Sequence, residues 1–368
     1  MALEQVAQAH YRRSALTTRQ VVAAVLAIWN ATGPSGFRDE LTRAAGLVAA
    51  GQLAQAVQAA AYLVDIAGEQ DLSTGAAIAP RAFAGTSASG QDLTDVLSAP
   101  TMRVWTLLDS GADLASAATS GAATLTRIVT NEVTQAGANA AHVGMTGNLD
   151  MGGYVRMLQA PSCGRCAILA GKWFEWNRGF KRHPGCDCVH VPAAEANGVA
   201  DLRTNPRAYF DSLSEAEQNR YFGTDNAQAI RDGSDMGQVV NTSTVTKSTR
   251  DAFGNRVRVT ESGLYEFDAG GGQMLQATKQ GTTVRQGRAG RRMALADGQL
   301  DGRTPSALER VSRPRLTPKS IYQVADGDRA KALDLLYKYG YLDSRPIDRS
   351  MAGLMADAGR PNPALGRR

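Results

Sequence analysis

Leu41-Thr-Arg-Ala-Ala-Gly-Leu-Val-Ala-Ala-Gly-Gln-Leu-Ala-Gln-Ala-Val57, continued by Gln-Ala-Ala-Ala-Tyr-Leu-Val-Asp-Ile66, has no proline and keeps its apolar residues at helical steps. It predicts a helix from about Arg38 to Ile66, with Leu41, Leu47, Val48, Leu53, Val57 and Val64 as its apolar stripe. Gly46 and Gly51, among many alanines, leave room for a neighbouring helix to come close. Upstream, Val21, Val22, Val25, Leu26 and Trp29 recur at the same spacing until Gly33-Pro34 breaks the run. Downstream, residues 71–100 read as a connection holding a short helix near Asp92–Leu97. A third helical region follows from about Thr101 to Ala141 on Val104, Leu107, Leu108, Leu114, Leu125, Ile128, Val129 and Val133. The first 145 residues therefore read as a helical domain.

Composition agrees with that reading. Hydrophobic residues make up 43% of the 368 and aromatics only 6%, so the apolar fraction is mostly small side chains suited to closely packed helices. No stretch approaches the roughly 18–20 uninterrupted apolar residues that span a bilayer, and the start lacks a secretory leader. The expectation is a chain working in a cytoplasm, where thiols stay reduced, with no membrane partner.

All four cysteines fall between residues 163 and 188, as Cys163-Gly-Arg-Cys166 and Cys186-Asp-Cys188, with His183 just ahead of the second pair. Two knuckles of soft donors across a short loop are the pattern of a tetrahedral zinc site. Five donors compete for four places. Cys163, Cys166 and one or both of Cys186 and Cys188 are the first choices, with His183 either a ligand or a group behind one. A site filled by protein ligands is structural; Lewis-acid chemistry needs an open position. The competing reading is a cluster of reduced core cysteines. A redox CxxC lacks its βαβ setting, and a nucleophile built from Cys186 or Cys188 with His183 or His190 would not need three further cysteines. Tyr154–Leu158 reads as a strand and Ala167–Ala170 as a short helical turn. Trp173, Phe174, Trp176 and Phe180 supply a small aromatic core around the metal, or rings on which bases stack. Residues 146–195 are thus predicted to be a small α+β module stapled by metal.

Residues 196–240 read as helical again: Ser214 and Glu217 form a capping-box pair, and a second helix over Asn226–Gly237 turns Ala227, Ala229 and Ile230 inward. Residues 241–315 change character, with alternation in Arg256-Val-Arg-Val-Thr260 and a break at Gly270-Gly271-Gly272, which predicts a partly extended β or irregular arm. Between Lys279 and Lys319 stand ten Lys/Arg against three acids, so the chain's net charge of +5 is local to this arm. Arg285, Arg288, Arg291 and Arg292 form a run expected to be flexible. It suits DNA phosphates or an acidic protein surface, or is merely a solvated positive linker. Residues 316–350 read as a last helical unit and 351–368 as a tail. The fold class is mainly α with the two additions named above. A GxSxG elbow, a HExxH helix and a GxxxxGK[ST] loop are all missing from the sequence.

Pro161-Ser-Cys-Gly-Arg-Cys166-Ala-Ile-Leu-Ala-Gly171, then Phe180-Lys-Arg-His-Pro-Gly-Cys-Asp-Cys188 and Val191-Pro192, resembles the Mu F-like minor head proteins of tailed phages, especially the actinobacteriophage branch. Leu213–Gln218 leading to Ala229–Asn241, and Arg315–Pro318 with Ala332–Leu342, extend the resemblance in order along most of the chain. It implies a minor capsid protein acting near the portal in procapsid assembly and DNA packaging, located in the virion head and assembled in the host cytoplasm. Portal, major capsid and scaffold proteins are the implied partners, with possible non-specific contact to packaged DNA. Members of that branch are also labelled capsid maturation proteases, which is the alternative. Arg127 and Asn131-Glu132 stand where many relatives carry an Arg-Thr-Glu-like helix, at a looser spacing.

Overall fold

A computed structural model of the chain describes residues 3–178, 188–202, 204–250, 256–281, 288–296 and 314–344. His183, Cys186, Phe180, Arg285 and the tail read over 351–368 lie outside the described residues. The chain forms two compact units, Met1–Pro206 and Arg207–Arg368.

The first unit is built on four helices: α1 (Leu3–Gly36), α2 (Leu41–Gly68), α3 (Leu93–Asp109) and α4 (Leu114–Thr146). Gly33-Pro34 kinks α1 rather than ending it. Gly33 takes φ 65°, and Pro34 then sits in the first turn of a short helical continuation, where its missing N–H costs nothing. The single helix expected over Thr101–Ala141 is two. Gly111 (φ 89°) turns the chain, and the Asp113 carboxylate restarts it by accepting from the Ser116 N–H at 2.8 Å.

The stripe on α2 also differs from expectation. The buried side carries Ala44, Val48, Ala56, Ala59, Leu63 and Ile66, whereas Val57 and Val64 are each 51% exposed. Small residues on the buried side let α1 and α4 approach closely at particular points. A Cβ on Gly51 would stand 2.6 Å from a Val21 methyl and 3.2 Å from a Val133 methyl; one on Gly121 would meet Val104 and the Trp29 ring at 2.6–2.9 Å. Among the described residues α2 is the one helix long and apolar enough to cross a membrane.

At one end of the bundle Val25, Ile28, Trp29 and Phe37 pack with Val48, Leu97, Val104, Leu125 and Val129. At the other, Ala56, Ala59, Tyr62, Ile66, Ala140 and Met145 share a core with a three-stranded antiparallel sheet. Its strands are β1 (Gly153–Met157), β2 (Trp173–Glu175) and β3 (Val189–Ala193), in the order β2-β1-β3, with Arg156 opposite His190 and Tyr154 opposite both Phe174 and Pro192. Helix α5 (Gly164–Leu169) lies between β1 and β2. The helical domain read over 1–145 and the module read over 146–195 thus contribute to one core. Trp173 and Phe174 pack against that core instead of forming a separate aromatic nucleus, and Trp176 is 48% exposed.

The second unit opens with α6 (Pro206–Ser212), α7 (Glu215–Phe222), α8 (Thr224–Arg231) and α9 (Met236–Val240). The expected helix over Asn226–Gly237 is divided at Gly233 (φ 98°), while Ala227, Ala229 and Ile230 are buried as read. The expected arm holds a hairpin, β4 (Thr244–Arg250) with β5 (Arg256–Ser262). It also holds a sheet β6-β7-β8 (Leu264–Asp268, Met274–Thr278, Arg315–Leu316) and a helix, α10 (Arg288–Ala296). The glycine triplet 270–272 makes the β6–β7 turn, all three residues at positive φ. α11 (Pro318–Ala325) and α12 (Arg329–Lys338) complete the unit. Buried Arg315 stitches it together: its Nε donates to the Tyr339 carbonyl at 2.8 Å, one Nη donates to Gln238 Oε1 at 3.2 Å, and the guanidinium lies 4.0 Å from the Tyr341 ring centre. Burial pushes the Arg315 pKa down from its ordinary value and the Tyr341 phenol up.

Candidate metal centre

The cysteines are set by the sheet and the short helix between its strands. Cys163 takes the extended conformation that starts α5, and Cys166 lies on the first turn of that helix. Positions three apart on a helix share a side. Cys188 immediately precedes β3, which the β1–β3 register fixes against Met157 and Arg156. Cys166 and Cys188 are buried and pack together with Leu158 and half-buried Cys163. None of the three forms a disulfide. The structure therefore gathers three of the five expected donors. Among the described residues no group of three His, Cys, Asp or Glu side chains is set to hold a metal ion.

Whether these residues suit zinc can be tested on a neighbouring charge. Arg156, on β1, is only 1% exposed; its guanidinium lies 5.2 Å from the Phe174 ring centre, and its Nε has no hydrogen-bond partner. The Tyr154 phenol also stands beside this guanidinium, and a cation buried so deeply calls for nearby negative charge. Leu158, which packs on the cysteines, lies two residues along from Arg156. A zinc ion held by three or four thiolates would carry a net negative charge, beside which the Arg156 cation fits. The sequence reading missed Arg156. In a strand, one arginine between apolar residues is the ordinary sign of a solvent-facing position, and only the covering of both sheet faces buries it.

Behind β3, the Tyr62 hydroxyl donates to the His190 carbonyl at 2.9 Å, and His10 stacks on the Tyr62 ring at 4.2 Å. Burial holds the Tyr62 phenol well above its ordinary pKa, so it remains a donor. A cavity of about 440 Å³ runs from His10, Cys188 and His190 along α1 and α4, past Thr18, Thr130 and Thr134. Cys188 is 3% exposed, which favours an inert structural thiol over a nucleophile.

Glu132 is buried beneath the loop that precedes α3. Its Oε2 accepts from the Ala88 N–H at 2.6 Å and its Oε1 from Asn131 at 3.4 Å. Gln52 holds the same loop, accepting from the Gly85 N–H and donating to the Thr86 carbonyl, each at 2.9 Å. The Asn131-Glu132 segment thus pins a loop. Arg127 joins the two in the wall of a shallow neighbouring pocket with Asp95 and Gln91.

The arginine run is helical where it is described. Arg292 donates to the Tyr337, Leu342 and Asp343 carbonyls and lies over the Tyr337 ring, 4.2 Å from its centre, while Arg288 pairs with Asp343. These two guanidinium groups dock α10 on the end of α12. Arg291 is exposed. Comparison of the chain with known protein families, characterised proteins and solved structures finds no match.

Proposed function

We propose that this chain is a minor head protein of a tailed phage, similar to the Mu F-like proteins, acting near the portal in procapsid assembly and DNA packaging. The observation that carries the reading is the order of three sequence blocks: the cysteine run over 161–192, Leu213–Asn241, and Arg315–Leu342. Within it the cysteines serve as a staple. Cys163, Cys166 and Cys188, joined by Cys186 or His183, would hold one zinc ion whose role is to fix the β1–β3 sheet against α5; Arg156 would balance the thiolate charge. Supporting this is the burial of Cys166 and Cys188, which suits a closed structural site. The positive arm, on which Arg291 is exposed, would meet packaged DNA or an acidic face of portal, capsid or scaffold protein.

Co-expression of the chain with its portal, major capsid and scaffold proteins tests this. The chain should copurify with assembled heads, and mass spectrometry should find every subunit at full length. Cleavage of scaffold or shell that depends on this chain would instead establish the maturation-protease reading.

A further inference from the structure

One face of α2 is left uncovered by the helices around it. Gly46, Ala50, Leu53, Ala54, Val57 and Ala61 follow each other along a single side, and Val64 extends the line by one turn. Val57 and Val64 are among the most exposed large apolar side chains of the molecule, and Leu53 is half-buried. Only 44% of the most apolar stretch of this helix is buried. A helix apolar on all sides is ordinarily covered on all sides. Lipid is a poor candidate for the cover. The opposite side of α2 is held in the bundle by Gln52 and Gln55, the latter donating to the Ser14 carbonyl at 2.8 Å and Thr18 Oγ1 at 3.0 Å.

The spacing of positions along the face, though not the identity of the residues, is symmetric about its midpoint. About a point between Leu53 and Ala54, Gly46 mirrors Ala61 and Ala50 mirrors Val57, while Arg43 mirrors Val64, next to Asp65. Two copies of α2 laid antiparallel about a two-fold axis through that point match a small residue with a larger or equal one at each step. They also bring Arg43 of each copy to the partner's Asp65. Arg43 can reach it, since its side chain is 72% exposed and, among the described residues, it pairs with Glu40, three residues back at 3.5 Å. A parallel pair would instead set arginine beside arginine and aspartate beside aspartate.

We propose that this face is an isologous interface between two copies of the chain. The proposal is independent of the metal and of the head-protein reading. The face is about 27 Å long and roughly 10 Å wide, so it covers on the order of 270 Å², well short of the roughly 800 Å² per partner of a standard interface. The dimer is therefore weak, with Kd on the order of micromolar or above.

Sedimentation velocity on the full chain, from roughly 1 to 200 µM, tests it. Wild type should show a concentration-dependent dimer. Val57→Glu, which puts a charge at the seam, should raise Kd about tenfold or more, and Val57→Ala should raise it less. Arg43→Glu and Asp65→Arg should each weaken the dimer, and the double variant should recover it, because the opposite charges meet again in an antiparallel pair. Circular dichroism matching wild type would show that each variant is folded. A monomer at every concentration would overturn the proposal, as would a dimer indifferent to Val57→Glu or a double variant weaker than either single one. Flotation of the monomer with phosphatidylcholine vesicles, lost in Val57→Glu, would assign the face to lipid and overturn it too.

Discussion

Tyr62 shows how much a single side chain can tie together: its ring closes the helical core, and its hydroxyl satisfies a strand carbonyl 128 residues away. Tyr62→Phe keeps the stack on His10 but leaves the buried His190 carbonyl without its donor. It is expected to cost about 1–3 kcal/mol, read as a lower urea midpoint at unchanged slope. Neither this bond nor the burial of Arg156 was legible in the sequence, because both depend on which strand faces which helix. The cysteines were legible because their meaning lies in local spacing. Val57 and Val64 illustrate the opposite error. Large branched residues at helical steps suggest a core, yet on α2 Ala44, Ala56 and Ala59 are buried beside Val48 while Val57 and Val64 are left out.

At the scale of elements, the start of α7 was read from its capping pair, whereas the Asp113 cap that starts α4 was not. Ser214 Oγ caps α7 by accepting from the Glu217 N–H at 3.4 Å, while the Ser214 N–H donates to the Glu217 carboxylate at 2.9 Å. Ser214→Ala should destabilise the second unit by ~1 kcal/mol, measured by thermal unfolding. The Ser214 hydroxyl, donating to the Glu217 carboxylate at 2.7 Å, and then the Ser214 N–H hold the Glu217 pKa below the ordinary carboxylate value. A depressed acid stabilises the fold above its unfolded pKa, and that contribution fades as pH falls through the lower folded value. Stability of the wild type relative to Glu217→Gln should therefore be highest near neutrality and narrow on acidification below the ordinary carboxylate range, followed by denaturation from pH 6 downward. The α10 helix escaped the sequence reading. Its arginines resemble a solvated linker until the carbonyls at the end of α12, which no local pattern announces, are seen to receive them.

For the whole molecule, the sequence showed a mainly helical chain but divided it by composition, whereas burial divides it otherwise: the cysteine-bearing sheet and the N-terminal helices close a single core. Removing a zinc ion from that sheet would be felt well beyond the cysteines. With one zinc bound per chain, chelation by EDTA or phenanthroline is expected to lower the melting temperature of the first unit and leave the transition of the second unchanged, resolved by calorimetry with metal content measured in parallel. A metal-free protein that melts identically would remove the staple. The shared core has a further consequence for a chain made in order from its N-terminus. Val6 and Ala7 rest in the same cluster as Val189 and Val191, so the first turn of the protein waits for residues near position 190 before its apolar surface is covered. At ~5–20 residues per second on the ribosome that delay lasts on the order of ten to forty seconds. Throughout it the sheet-facing end of the core, with Tyr62 and Ile66, stays open to any chaperone or neighbouring nascent chain, and premature termination before β3 would leave that apolar surface uncovered.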